Sequence, residues 1–82
     1  MIDDIRYLLV FARIVETGSV SGAAAALQLS AATVSAHLGK LEHSMGTALL
    51  YRNTRKLSLT PAGAKLYTSA QAMQQLYAQP AH

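Results

Sequence analysis

The groups that could move protons or hold metal ions are few: His37, His43 and His82, with Asp3, Asp4, Glu16 and Glu42. They are scattered along the chain. His37 and His43 stand six residues apart, off the one-turn spacing that sets two histidines around a metal on one helix face. No glycine-rich phosphate loop and no nucleophile elbow occurs. Ser30, Ser35 and Ser44 read as caps and surface hydroxyls. No catalytic site, metal or cofactor is expected. A different chemistry is concentrated between residues 30 and 40. Ser30, Thr33, Ser35, His37 and Lys40 offer hydrogen bonds and one positive charge, with Ala31, Ala32 and Ala36 between them and no acid. Such a set can touch base edges and phosphates.

The element that must position these groups is a helix over 31–45. Val34, Leu38, Leu41 and Met45 recur at helical spacing as an apolar stripe. Ser30 can cap the first free amides, and Gly46 follows the last periodic residue as a stop. The face opposite the stripe is slim enough for the major groove of DNA. Taken alone, the helix reads rather as a surface helix with polar residues turned to water, so its neighbours have to decide.

Ahead of it, residues 3–17 form a first helix, capped by Asp3 or Asp4. Its buried face is expected to be Ile5, Leu8, Phe11, Ala12 and Val15, leaving Tyr7 and Val10 for a second contact surface. Gly18 ends it. Ser19 caps a short second helix to about Leu27, whose alanines 23–26 let another helix approach closely. Gln28-Leu29-Ser30 is a short turn, with Leu27, Leu29 and Val34 as apolar anchors. Helix, tight turn and helix over about 20–39 meet the requirements of a helix-turn-helix, although alanine-rich hairpins also occur in plain bundles.

Behind it the period changes. The segments around Leu49-Leu50-Tyr51-Arg52 and Lys56-Leu57-Ser58-Leu59 have strand character, joined by Asn53-Thr54-Arg55. A basic hairpin over about 49–59 is a wing whose Arg52, Arg55 and Lys56 reach phosphates or the minor groove. In isolation it reads rather as a solvated basic hairpin. Thr60-Pro61 opens a last helix over 61–79, Thr60 as cap and Pro61 in the first helical position. Leu66, Ala70, Met73 and Tyr77 make a heptad seam in it, and residues 67–78 carry no charge. This seam is expected to meet a partner subunit rather than its own domain.

With 82 residues, 51% of them hydrophobic, the chain suffices for one small domain. There is no cysteine, hence no disulfide framework or thiolate metal site. No apolar run reaches spanning length and no signal peptide is seen, so no membrane partner and a cytoplasmic location are expected. The net charge is +3. Its basic residues cluster late: Lys40, Arg52, Arg55, Lys56 and Lys65 stand against Glu42 alone within residues 40–82, which suits a polyanion.

In this order and spacing the pieces resemble the N-terminal winged helix-turn-helix domain of LysR-type transcriptional regulators. The matching residues are Phe11, Glu16-Thr17-Gly18-Ser19, Ala23-Ala24, Leu27, Ser30, Val34-Ser35, Leu41-Glu42, Gly46, Leu49-Leu50, Arg52, Arg55, Leu57 and Leu59-Thr60-Pro61-Ala62-Gly63. The resemblance implies a mainly α fold with a small β-hairpin: a winged helix-turn-helix over 1–60, followed by a long C-terminal linker helix for dimerisation. Members carry a larger effector-binding domain, which is not expected within this chain. A small-molecule effector would act only through that domain.

The resemblance also implies sequence-specific binding of double-stranded DNA by a bacterial homodimer, with helix 31–45 in the major groove. Thr33 and His37 would contact base edges, and Ala31, Ala32 and Ala36 would pack on thymine methyls. Ser30, Ser35, Lys40, Arg52, Arg55 and Lys56 would hold phosphates. Leu66, Ala70, Met73 and Tyr77 would form the dimer interface. The chain departs from the family where glutamine and proline often follow the capping serine (Ala31, Ala32), where arginine often follows valine-serine (Ala36), and at His37, often glutamine. Few long readers remain, so DNA shape is expected to carry much of the specificity. The alternative reading is a protein-interaction module that pairs with a full-length regulator and antagonises it.

Overall fold

A computed structural model describes residues 2–51 and 57–78. Among them are four helices and one two-stranded sheet: α1 (Ile2–Thr17), α2 (Val20–Leu27), α3 (Ala31–Met45), β1 (Leu50–Tyr51), β2 (Ser58–Leu59) and α4 (Pro61–Ala78). Punctuation residues set these limits. Gly18, at φ +83°, lets the chain turn by 117° between α1 and α2. The Ser19 hydroxyl then caps α2 by accepting from the Gly22 amide at 2.8 Å.

Both helices of the central pair end in a Schellman motif. At the end of α2, Gln28 donates to the Ala25 carbonyl and Leu29 to Ala24. At the end of α3, Gly46 donates to His43 and Thr47 to Glu42. The left-handed residue is glycine in the second case but Gln28, at φ +60°, in the first. The turn expected at 28–30 is thus built by a residue with a Cβ in a region costly for L-residues.

Phe11, Ile14, Val34, Leu38 and Leu49 form the fully buried centre, closed by Ala23, Ala24, Leu41 and Leu50. The small Ala23 and Ala24 let α2 sit close to α1 and α3, as the alanine run predicts. The expected face of α1 needs correction. Val10 (4% exposed), Phe11, Ala12 and Ile14 are buried; Leu8 and Val15 are half-buried; Ile5 is 38% exposed. The helix packs against α2, α3 and α4 at once, so it is covered over a wider arc than a single stripe implies. One apolar anchor and one stripe residue also prove exposed: Leu29, 39%, in the turn, and Met45, 47%, in the last turn of α3.

The hairpin is short and antiparallel, with Leu50 opposite Leu59 and Tyr51 opposite Ser58. The loop Asn53-Thr54-Arg55 lies outside the described residues, as do Arg52 and Lys56. The seam of α4 is corrected in part. Leu66 packs against the chain's own core, Tyr67 meets Phe11 edge-on at 6.5 Å between ring centroids, and Ala70 is 0% exposed. A heptad spacing marks an apolar stripe but does not say whose surface covers it. Ala70 is thus covered within the chain itself, while Leu66, half-buried, turns one side to the chain's own core. Met73 is half-buried; the Tyr77 side chain lies outside what is described.

Candidate nucleic-acid interface

Helix α3 is held by one side. Val34, Leu38 and Leu41 are buried, while Ala31, Ala32, Ser35, Ala36, Gly39 and Lys40 are exposed. With about 3.6 residues per turn, Ala32, Ala36, Gly39, Lys40 and His43 occupy the face opposite the buried stripe. Thr33 and His37, both half-buried, lie on one flank, and Ser35 on the other. Nothing on the middle of that face is larger than a methyl group until Lys40. A Cβ added at Gly39 would meet no atom within 4 Å. The helix backbone can therefore come close to a flat or grooved partner. Gly39 and His43 belong to this face, and a count of apolar residues alone overlooks them; projecting the whole helix would have found both.

The first turn is internally tied. Ser30 Oγ accepts from the Thr33 amide at 3.0 Å and donates its proton to Thr33 Oγ1 at 2.8 Å. Its hydroxyl is thereby occupied as the cap of α3. The Thr33 hydroxyl keeps its own proton, so Thr33 is the better donor toward a ligand. The amides of the first turn have no acceptor one turn earlier and point outward at the positive end of the helix dipole.

The ring of His37 leans on Tyr7 of α1, with centroids 4.9 Å apart and planes at 47°. Its Nδ1 is enclosed and makes no hydrogen bond among the described residues. Helix α3 thus presents His37 with one ring nitrogen already turned inward.

Residues 48–50 hold α3, the hairpin and α4 in register. Glu42 Oε2 accepts from the Leu49 amide at 2.7 Å and from Leu50 at 3.4 Å. From the other side Thr60 Oγ1 donates to the Ala48 carbonyl at 2.8 Å, and the Thr60 amide donates to Leu49 O at 3.1 Å. Thr60 Oγ1 also accepts from the Gly63 amide at 3.0 Å and so caps α4, the role expected of it. Gly63 passes so near the hairpin that a Cβ there would fall 2.0 Å from Leu49 O. Glu42 was not expected to carry this tie. The available signal was that it is the lone acid among five basic residues within residues 40–82. Of the expected phosphate contacts, Ser35 and Lys40 are exposed on α3, and Arg52, Arg55 and Lys56 lie outside the described residues. No single helix among the described residues is long and apolar enough to cross a membrane.

Comparison with known proteins agrees with this architecture. The model of the bacterial regulatory helix-turn-helix protein, lysR family, matches residues 5–64. The chain is 46% identical over 66 residues to a probable hydrogen peroxide-inducible genes activator of Mycobacterium avium, covering 80% of this chain and 21% of that protein. It is 44% identical over 68 residues to the HTH-type transcriptional regulator CrgA of Neisseria meningitidis, covering 83% and 23%. It therefore spans about a fifth of the length of these relatives. Among solved structures, the BenM DBD in complex with catB site 1 DNA superposes with a TM-score of 0.85 at 31% identity, over 92% of this chain and 83% of that one. The LysR-type regulator CrgA from Neisseria meningitidis superposes with a TM-score of 0.73 at 42% identity, over 89% and 25%. The chain belongs to the lysR family of bacterial regulatory helix-turn-helix proteins, and what it contains is that family's DNA-binding domain, not an enzyme.

Proposed function

We propose that this domain binds double-stranded DNA sequence-specifically, as one half of a homodimer acting in the cytoplasm, with α3 lying in the major groove. The observation that carries this reading is the outward face of α3: small as far as Lys40, free of acids, and fixed by the buried Val34, Leu38 and Leu41 opposite. A slender face lets the helix sit deep, and the groove is wide enough to take it. Thr33 and His37 are the polar readers, and Ala31, Ala32 and Ala36 meet thymine methyls. Ser35, Lys40 and the outward amides of the first turn hold phosphates; Ser30 acts through those amides as their cap. Arg52, Arg55 and Lys56 extend the positive surface along the wing. The second subunit is met through Met73 and Tyr77, with Leu66 and Ala70 retained inside the domain. With alanines where long donors could stand, DNA shape carries a large share of the specificity. Effector response would reside in a region beyond residues 1–82.

A salt titration of binding to random duplex and to a selected pool tests this. Salt-sensitive binding with enrichment of a palindromic site is expected. Replacing Arg52 or Arg55 by alanine should weaken binding to all sequences and flatten the logarithmic salt slope by about 0.9 for each phosphate no longer neutralised. Unchanged slopes in both variants would remove the wing. Met73→Asp should lower the sedimenting mass, and an unchanged mass would remove the α4 seam. A stable dimer that binds no DNA at low salt would support the protein-interaction reading instead, for which the exposed Ile5 and Leu29 are the available surface.

A further inference from the structure

Tyr7 is outside the helix-turn-helix and makes no hydrogen bond among the described residues that would explain a tyrosine at this place, yet its ring lies against the one aromatic side chain on the reading flank of α3. The centroid separation of 4.9 Å and the 47° tilt are within the range in which ring pairs attract. Tyr7 is itself half-buried and packed on the core. It is therefore a fixed wall, not a free surface group. His37 is the lighter partner, standing on a helix face with an alanine before it and, one residue beyond Leu38, a glycine. No hydrogen bond among the described residues holds the imidazole through Nδ1, which is enclosed. The ring contact with Tyr7 therefore bears on the side-chain rotamer of His37 and on the direction of Nε2, the nitrogen left to meet a base.

We propose that Tyr7 is a positioning residue for base readout: it sets the His37 ring on α3 from α1, and so determines base preference without touching DNA. This rests on the reading of α3 as the groove-entering helix. The reason is that a lone imidazole hydrogen bond discriminates bases only when its direction is fixed. A ring free to turn could satisfy an acceptor or a donor on several base pairs.

The test compares wild type, Tyr7→Phe, Tyr7→Leu and His37→Ala in selection from a randomised duplex pool, with binding to random duplex measured alongside. In Tyr7→Leu, preference should relax at the same base pair as in His37→Ala, by about five- to tenfold. Affinity for random duplex and its salt slope should stay at wild-type values. Tyr7→Phe keeps the ring and should keep the preference. The His37 ring-proton resonances of the free protein provide a second reading, independent of DNA: loss of the Tyr7 ring current in Tyr7→Leu should move them, while Tyr7→Phe leaves them near wild type. If Tyr7→Leu retains the wild-type preference while His37→Ala loses it, or if the resonances do not move, the positioning role is overturned and the groove reading stands. If His37→Ala retains the preference, His37 is no reader and the proposal falls with it. If wild type binds no duplex, the groove reading itself falls, and this proposal also.

Discussion

Replacing Gly63 by alanine should unfold this domain more readily, against the ordinary preference for alanine in helices. The added methyl would fall 2.0 Å from Leu49 O, 3.0 Å from Leu49 C and 3.2 Å from Leu59 Cδ2. Two of these neighbours are backbone, and that backbone is gripped from both sides by Glu42 and Thr60, so it cannot yield without loss. Ordinary contact requires a separation of more than an ångström beyond what is available. Overpacking of this kind costs up to about 3 kcal/mol. Moving α4 away also strains the Thr60 hydrogen bonds to Ala48 and from Gly63, each worth about 1 kcal/mol. Helix propensity returns about 1 kcal/mol at most. The net loss is about 3 kcal/mol, or roughly 12–24 °C in melting temperature for a domain of this size. Thermal unfolding followed by circular dichroism reads this directly. A Gly63→Ala variant that melts at or above wild type would refute the close approach of α4 to the hairpin.

The same substitution at Gly39 should act with the opposite sign: with nothing within 4 Å of the new methyl, stability should rise by about 1 kcal/mol, and a lower melting temperature would contradict the open position. Gln28→Gly should stabilise by roughly 0.5–1 kcal/mol, because the left-handed strain at φ +60° outweighs the added freedom of the unfolded chain; an unchanged urea midpoint would mean that the side chain compensates. Glu42→Ala should cost about 2 kcal/mol by leaving the Leu49 amide without its carboxylate, and hydrogen exchange at Leu49 should quicken; protection equal to wild type would show that this amide has another acceptor.

Much of the frame could be read from local chemistry. Ser19, Ser30 and Thr60 cap the helices they precede, and Gly18 and Gly46 end the helices they follow, because capping depends on a few neighbouring atoms. The stripe of Val34, Leu38 and Leu41 was legible for the same reason. What escaped depends on who the neighbours are. Val10 is buried and Ile5 exposed because α1 is enclosed by three helices at once. Ala70 is buried within its own chain, and nothing in a four-residue spacing distinguishes a partner in the same chain from one in another. The reach of Glu42 to Leu49 and the pressure of Gly63 on Leu49 join segments that only the folded chain brings together. On the candidate interface, the exposed residues of α3 follow from its periodicity, whereas the tie between Ser30 and Thr33 and the lean of His37 on Tyr7 do not.

The close seat of Gly63 against Leu49 gives α4 the mechanics of a lever. From Gly63 to the end of the helix at Ala78 is about 22 Å. A tilt of about 10° at this fulcrum would swing the far end by about 4 Å, near the ~3.4 Å rise of one base-pair step. In a dimer joined at the far end of α4, the absence of a single methyl group would thus hold the distance between two reading heads to within one step of the double helix.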